Sequence, residues 1–238
     1  MVKKIFIISV VFVLFLLVSM SAYAQDSSLN VTEITGKVLV KIYPSTEWIE
    51  AKAGQVIKQK DAVKTDLGGK ALLEFSDKSS IMLKPKTEIT VSELVWDNAT
   101  RKADINMTSG ELKTVLTKVS TPSDFKVRTP TAICGARGTV FYVVVFADGT
   151  GVYVEQGLVE FLNTISGQSY TVYEGMNSNT HSDGSITEPQ PLTKEEVDKV
   201  IADYDMKPVA EPYTEPGGEG GTNLNPPDVI QENPASGR

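Results

Sequence analysis

The chain has 238 residues, a formal charge of −7, a single His and a single Cys. One His and one Cys exclude an internal disulfide framework, an iron–sulfur cluster and a Cys/His zinc site, because each needs several such residues. The 41% hydrophobic share is enough for a folded core, and the negative charge argues against a nucleic-acid partner, which requires a basic face.

Residues 1–24 have the pattern of a secretory signal peptide. An apolar run from Ile5 to Val18 follows two lysines, and Ala22-Tyr23-Ala24 gives the small-x-small pattern of a cleavage site. The 14-residue run is short for a membrane span, which needs about 20 residues. We therefore expect a periplasmic or secreted protein that starts at Gln25 and has no stable membrane span. An uncleaved membrane anchor is the alternative.

Residues 25–187 consist of short segments with the composition of β-strands. Runs rich in Val, Ile, Phe, Tyr and Thr recur, and Gly, Asp, Asn and Ser separate them. The predicted strands are Val38–Ile42, Ala71–Phe75, Ile81–Leu83, Ile89–Ser92, Leu112–Leu116, Phe125–Arg128, Val140–Phe146, Val152–Glu155, Leu158–Leu162 and Tyr170–Tyr173. The strand Val140–Phe146 is apolar on both faces, so we expect it to be central and covered on both sides. The pattern predicts one all-β domain.

Two repeated patterns indicate how the strands are connected. Phe75–Leu83 and Phe146–Val154 both run from an aromatic residue through an Asp-containing turn to alternating apolar residues. This predicts two hairpins in which the Asp side chain caps the turn. Gly36, Gly110 and Gly157 each precede an alternating strand, as glycines at corners and bulges do. The repeats favour stacked hairpins in a β-solenoid-like arrangement over a Greek-key β-sandwich.

Residues 188–207 contain a helix signal. Thr193 and Glu196 fit a capping box, and the apolar residues from Val197 to Tyr204 fall on one helical stripe. We expect a short helix that closes one end of the domain or, alternatively, docks another protein.

Residues 208–238 are predicted to be a disordered acidic tail. Six Pro and five Gly occur among the 34 residues from Asp205 to Arg238. This combined Pro and Gly content is typical of segments that do not fold around a hydrophobic core. Residues 188–238 hold eleven Asp and Glu against four Lys and Arg, so the acidity belongs to this end of the chain. We expect the tail to act as a spacer or tether.

Thr129-Pro130 and Arg137-Gly138-Thr139 stand out just before the most apolar strand. Pro130 cannot donate to a ladder, so it is expected to start a strand or lie on an edge. Gly135 and Gly138 allow a bulge or a close backbone approach. We expect the Arg137 guanidinium to be partly buried and received by a carboxylate or by carbonyl groups. It would either join one layer of the fold to the next or bind an anionic ligand.

The segment from Thr129 to Val143, TPTAICGARGTVFYV, resembles the signature of the FecR domain family. Further matching pieces follow in order from Val31 to His181: Trp48–Gly54, Asp61–Thr65, Gly68–Ala71, Phe75–Ser79, Leu83–Thr87, Gly110–Leu112 and Glu155–Val159. On this resemblance, Thr129, Pro130, Arg137, Gly138 and Thr139 form the structural motif of the domain.

FecR-family members are typically inner-membrane regulators. A cytoplasmic segment controls a sigma factor, and a periplasmic FecR domain receives a signal from an outer-membrane transporter. Only four residues precede the apolar run here, so we expect this chain to lack the anti-sigma segment. The resemblance then implies an exported, non-catalytic module without a cofactor. It would contact another envelope or secreted protein, or another envelope component, for instance through an exposed sheet edge, and would take part in cell-surface signalling.

Single residues suggest three other chemistries. An enzyme acting on polysaccharide would need two facing carboxylates, for which Glu155 and Glu160 are the candidates because they flank a predicted turn. Asp148 and Asp183 begin Asp-Gly turns but lack the run of ligands that a calcium loop requires. Cys134 is expected to be a buried small hydrophobic residue. We therefore predict no catalytic and no metal-binding residues.

Overall fold

A computed structural model describes residues 27–97, 99–120, 123–201 and 204 of the chain. The predicted signal peptide (1–24) and the predicted disordered tail (208–238) lie outside these residues. The described part is 57% strand and 4% helix, so the all-β prediction with one short helix is confirmed. Within this part of the chain, no helix is both long enough and apolar enough to cross a membrane.

Seventeen strands are present among the described residues, and long-range pairing brings them together. In chain order they are β1 (Leu29–Thr35), β2 (Val38–Lys41), β3 (Ile49–Glu50), β4 (Val56–Ile57), β5 (Ala62–Thr65), β6 (Lys70–Glu74), β7 (Ser80–Leu83), β8 (Glu88–Trp96), β9 (Arg101–Val115), β10 (Ser123–Arg128), β11 (Ala132–Ala136), β12 (Val140–Phe146), β13 (Gly149–Gln156), β14 (Leu158–Asn163), β15 (Ser169–Tyr173), β16 (Met176–His181) and β17 (Gln190–Pro191).

The strands form two sheets that share the long strand β9. Sheet A has the order β4-β1-β6-β7-β9-β12-β13-β16-β17. Sheet B has the order β3-β2-β5-β8-β9-β10-β11-β14-β15. All of these pairs are antiparallel except β9–β10. From β10 onward the chain places hairpins alternately in sheet B and in sheet A, which is the predicted stack of hairpins.

The inner faces of the two sheets supply one hydrophobic core. In β6, Ala71 and Leu73 point into this core, whereas Leu72 between them points to the outer face of sheet A. The same alternation holds in sheet B, where Val159 and Phe161 are inside and Glu160 is exposed. The period-two pattern of the sequence therefore marks which side of each sheet is buried.

Three of the points where the chain passes from one sheet to the other are marked by glycines. Gly36 joins β1 to β2, and Gly157 joins β13 to β14. Gly110 lies inside β9, which pairs in sheet B up to Ser109 and in sheet A from Gly110 onward. Their φ angles of 63°, 87° and 90° lie in the left-handed region that favours glycine. The glycine pattern seen in the sequence therefore corresponds to corners of the sandwich.

Both predicted hairpins are present. In the β6–β7 hairpin, Asp77 Oδ1 accepts a hydrogen bond from the Ser79 amide at 3.0 Å, as expected of an Asp that caps a turn. The β12–β13 hairpin also forms, and there Asp148 Oδ2 lies 3.7 Å from His181 Nδ1. Strand β12 has the predicted central position, because β9 and β13 pair with its two edges.

Several expectations from the sequence are wrong in detail. Pro130 does not start a strand but lies in the turn between β10 and β11. Gly135 makes no bulge: it lies in the regular ladder of β11, opposite Lys126 and Glu160. The sequence pattern also does not predict β1, β3, β4, β5, β11, β16, β17 and the first half of β9. β11 was missed because Ala-Ile-Cys-Gly-Ala has a single β-branched residue among small residues, whereas typical strands contain several.

The C-terminal helix forms with its capping box and covers a face of the sandwich. Helix α1 (Lys194–Glu196) continues as one π-helical turn, Val197–Ile201. The Thr193 amide donates to Glu196 Oε2 at 2.8 Å, and the Glu196 amide donates to Thr193 Oγ1 at 3.2 Å. The Asn177 amide group donates to Glu196, which places the helix on the outer face of sheet A. The expectation that the helix closes one end of the domain is therefore wrong.

Replacing Gly110 with alanine tests the corner in β9. An added Cβ would overlap the Cα and Oγ1 of Thr87 and lie 2.7 Å from the Lys86 carbonyl oxygen. We expect Gly110→Ala to lower the free energy of unfolding by about 3 kcal/mol or more. In the control Gly135→Ala the nearest contact would be an ordinary 3.8 Å, so the change should stay within about 0.5 kcal/mol. Urea denaturation followed by circular dichroism measures both, and equal losses would contradict the assignment.

Candidate functional site

The Thr129-Pro130-Thr131 turn connects the two sheets through buried hydroxyl groups. Thr129 Oγ1 lies 2.7 Å and Thr131 Oγ1 lies 2.9 Å from Thr150 Oγ1 in β13. Thr131 Oγ1 also lies 3.0 Å from Thr180 Oγ1 in β16. Because buried hydroxyl groups need partners, these four threonines satisfy one another and fix the β10–β11 turn of sheet B against sheet A. This half of the motif braces the sandwich.

Gly138 and Thr139 hold the next corner, where β11 of sheet B leads into β12 of sheet A. Thr139 Oγ1 lies 3.1 Å from the Arg137 carbonyl oxygen and 3.0 Å from that of Leu158. Gly138 has φ 60°, and a Cβ on it would lie 2.7 Å from Lys118 Cγ. The bond to Leu158 joins this corner to the neighbouring corner at Gly157, so the second half of the motif is also structural.

Arg137 differs from the expectation because its side chain is exposed. It lines a shallow groove on the outer face of sheet B together with Leu158, Glu160 and Asp124. The corner at Gly138 turns Arg137 away from the space between the sheets, so the guanidinium is not enclosed. The expected partial burial is therefore wrong. Glu160 and Asp124 balance the charges of Arg137 and Lys126 in the same groove, so it has no net positive charge to attract an anion.

A different arginine, Arg101, is enclosed. Its Nη1 lies 2.7 Å from Asp77 Oδ2, and the two side chains are 9% and 12% exposed. Asp77 also accepts hydrogen bonds from the Trp96 indole at 3.0 Å and from the Ser79 hydroxyl at 2.9 Å. The pair connects the β6–β7 hairpin of sheet A to the ends of β8 and β9 in sheet B. The sequence pointed to Asp77 as a turn cap but gave no signal for its partner.

Strand β15 forms an open edge of sheet B, since β14 is its single partner among the described strands. The Glu174 amide bonds to the Gly157 carbonyl and the Asn163 amide to the Gln168 carbonyl. Along an antiparallel strand, the main-chain N–H and C=O groups of successive residues point alternately toward the partner strand and away from it. Since Gln168 and Glu174 bond to the neighbouring stretch of the chain, Tyr170 and Val172 also bond to β14. The main-chain groups of Ser169, Thr171 and Tyr173 therefore point out of the sheet.

Apolar side chains accompany this edge. Leu158 and Tyr173 lie opposite each other in the β14–β15 ladder, and they are 44% and 57% exposed. Ile165, in the turn that joins the two strands, is also exposed. The Arg137 groove begins beside Leu158. A strand added to β15 would find main-chain partners along the edge and an apolar contact on the outer face of the sheet.

Residues 61–160 match the family model described as FecR protein. This match assigns 100 of the 238 residues to a FecR domain. The match runs from β5 to β14, so the Thr129–Thr139 motif lies inside it, whereas the β15 edge lies outside. The recognition made from the motif is confirmed.

Two solved structures of a candidate anti-sigma factor from Parabacteroides distasonis ATCC 8503 are similar to this FecR-domain chain. They are 18% and 17% identical in sequence, each with a TM-score of 0.48. Each comparison covers 58% of this chain and 62% of the other, so this chain spans less than two thirds of their length. No curated protein matches it.

The two carboxylates considered for catalysis do not face each other. Glu155 lies on the outer face of sheet A, where its Oε2 is 3.0 Å from Lys113 Nζ. Glu160 lies on the outer face of sheet B, in the Arg137 groove. Gly157, between them, takes the chain from one sheet to the other, so the expected pair is wrong.

The two Asp-Gly turns are neighbours in the structure. The Ser182 amide donates to the Asp148 carbonyl at 2.7 Å, and the Ser185 amide donates to Asp183 Oδ1 at 2.8 Å. Hydrogen bonds from Ser185 lower the pKa of the Asp183 carboxyl below its ordinary value. Within the described ranges, no group of three or more His, Cys, Asp or Glu residues is arranged for a metal ion.

Cys134 is fully buried on the inner face of β11, as predicted. Burial raises the pKa of its thiol far above the ordinary value, which disfavours the reactive thiolate.

Comparing two arginines tests which one joins the sheets. We expect Arg101→Met to lower the free energy of unfolding by about 3 kcal/mol, because it leaves the Asp77 carboxylate buried without its cation. Arg137→Met removes an exposed charge and should change stability by about 0.5 kcal/mol at most. Urea denaturation of both variants measures the free energy of unfolding. A larger loss of stability in Arg137→Met than in Arg101→Met would contradict the assignment of Arg101 as the arginine that joins the sheets.

Proposed function

We propose that this chain is an exported FecR-type module that binds an envelope or secreted protein by accepting one of its strands at β15. The observation that carries the proposal is the open edge of sheet B, with three residues whose main-chain groups point outward. Main-chain hydrogen bonds supply affinity in this type of recognition, and side-chain pockets next to the edge supply specificity. Here Leu158 and Tyr173 would supply the apolar contact.

The other edges of the two sheets are less suitable for strand addition. β3 at the far edge of sheet B has two residues, and so do β4 and β17 at the edges of sheet A. An added strand would make one or two hydrogen bonds there. β15 has five residues, SYTVY, without the proline, lysine or bulge that usually protects an exposed edge. An unprotected edge of this length is typical of strand-adding domains and is a liability otherwise.

The FecR domain supports a role in signalling, with the module as the receiving part. In the proposed arrangement the partner contributes an extended segment whose apolar residue packs on Leu158 and Tyr173. The acidic tail, residues 208–238, serves as the spacer to whatever the module is attached to. Export through residues 1–24 places the module where an envelope partner can reach it.

Site-specific photo-crosslinking in the native cells tests the edge. We expect a photo-reactive residue at position 173 to give a discrete crosslinked partner, and one at the exposed Thr108 in the middle of sheet B to give none. Thr171→Pro should abolish the product, because it removes an outward donor while the bonds of Tyr170 and Val172 to β14 remain. Thr171→Ala is the matched control and should keep the product. A product that persists in folded Thr171→Pro protein would contradict strand addition.

Export is tested separately by cell fractionation and N-terminal sequencing. We expect the protein from the periplasm or medium to begin at Gln25. Protein that is retained in the cytosol with Met1 intact would contradict the assignment.

A further inference from the structure

The outward hydrogen-bonding groups of strand β15 match those of a second copy of the same strand. They belong to Ser169, Thr171 and Tyr173, so they are spaced evenly about Thr171. When two such strands run antiparallel with Thr171 opposite Thr171, Ser169 of each copy faces Tyr173 of the other. Each opposed pair exchanges two hydrogen bonds, about six in all. A shift of two residues in either direction leaves about four bonds, so the register centred on Thr171 is the preferred one.

The side chains of β15 also suit this register. On the outer face of sheet B the two Thr171 side chains face each other, and the Tyr173 ring, which is exposed, faces the small Ser169. On the inner face Tyr170 lies opposite Val172, an aromatic residue opposite a β-branched one. Pairs of both kinds, Thr with Thr and aromatic with β-branched, are favourable across antiparallel strands.

Among the described residues at this edge, the register brings no like charges together. Strand β15 itself has no charged side chain. Glu174, the next residue, would lie opposite Gln168 of the second copy, whose amide group can donate to a carboxylate. Glu160 lies one strand back from the edge, so the two Glu160 residues would be about 14 Å apart. The edge therefore lacks the charges by which exposed strands usually resist self-association.

The size of the contact makes the pairing weak and reversible. Strand β15 has five residues, and an edge contact of that length buries well under the roughly 1,600 Å² of a standard stable interface. The two-fold axis passes between the two Thr171 residues, so the same surface serves both copies and the assembly closes as a dimer. A partner strand with better side-chain contacts can therefore displace the second copy.

We propose that β15 pairs with β15 of a second copy of this chain, antiparallel and centred on Thr171, and that this pairing covers the edge until a partner strand replaces the second copy. The inference rests on the proposed function and adds the regulation of its site. Since only the free edge can accept a partner strand, the apparent affinity for the partner falls as the protein concentration rises above the dissociation constant of the dimer.

Charges placed at position 171 test the register. Thr171 is exposed, so these variants should keep the fold. In sedimentation equilibrium of the purified protein, we expect a dimer with a dissociation constant of about 100 μM. Thr171→Lys and Thr171→Glu should each weaken the dimer at least about tenfold, because like charges then face each other. An equimolar mixture of the two variants should regain the dimer, because opposite charges then face each other.

Thr108, which is exposed in the middle of sheet B, supplies the matched control. Thr108→Lys and Thr108→Glu should dimerise like the unmodified protein, both alone and mixed. Circular dichroism checks that each variant is folded. Three results would overturn the proposal: unmodified protein that is monomeric up to about 1 mM, an unchanged dimer in either Thr171 variant, or a mixture of those two variants that stays monomeric.

Disulfide trapping measures the same register independently. Thr171→Cys would place two thiols opposite each other with Cα atoms about 5.5 Å apart, which a disulfide can bridge. Ser169→Cys would place them more than about 13 Å apart. We expect oxidation to link Thr171→Cys into a covalent dimer and to leave Ser169→Cys unlinked, while the native Cys134 stays buried. Equal linking of the two variants would contradict the register.

The purified protein contains no envelope partner, so the two proposals fail separately. A protein that stays monomeric, yet still gives the partner crosslink from position 173 in cells, would overturn self-pairing alone. A dimer whose position 173 crosslinks only to a second copy in cells would support self-pairing and contradict the proposed function.

Discussion

The fold depends on the chain crossing between two packed sheets within a single residue. At Gly110 the backbone of β9 turns from sheet B into sheet A, and Thr87 fills the space where a side chain would otherwise lie. Thr87 Oγ1 donates to the Glu111 carbonyl at 2.9 Å and accepts from the Glu111 amide at 3.0 Å. This contact both requires the glycine and fixes the turn, so one long strand can hold both sheets together.

The corners also decide which residues meet. Glu155 and Glu160 are close in sequence, but they lie on opposite outer faces because Gly157 separates them. Conversely, Thr131 and Thr180 are 49 positions apart and lie in contact between the sheets. The FecR signature around Thr129–Thr139 thus mainly stabilises the corners of the fold. The edge proposed for recognition, β15, lies outside this signature.

The two outer faces differ in character. Sheet B carries paired charges, among them Lys102 with Glu93 at 2.9 Å and Arg128 with Asp104 at 2.7 Å. Exposed pairs of this kind contribute little to stability and keep the face solvated, so its recognition potential lies at the open β15 edge. Sheet A instead buries Leu72, Met82 and Tyr142 beneath the C-terminal segment.

The sequence by itself determined the strand class, the two hairpins, the capping box and the corner glycines, because each depends on residues a few positions apart. It also identified the FecR domain, since the signature is a local run. The tertiary structure alone decided that Arg101 is enclosed and Arg137 exposed, because strand register sets which side chains enter the space between the sheets. For the same reason, only the structure revealed the open edge at β15 and the packing of Tyr204 against Leu72 and Met82. Both depend on which strands lie side by side, and residues far apart in the chain determine that.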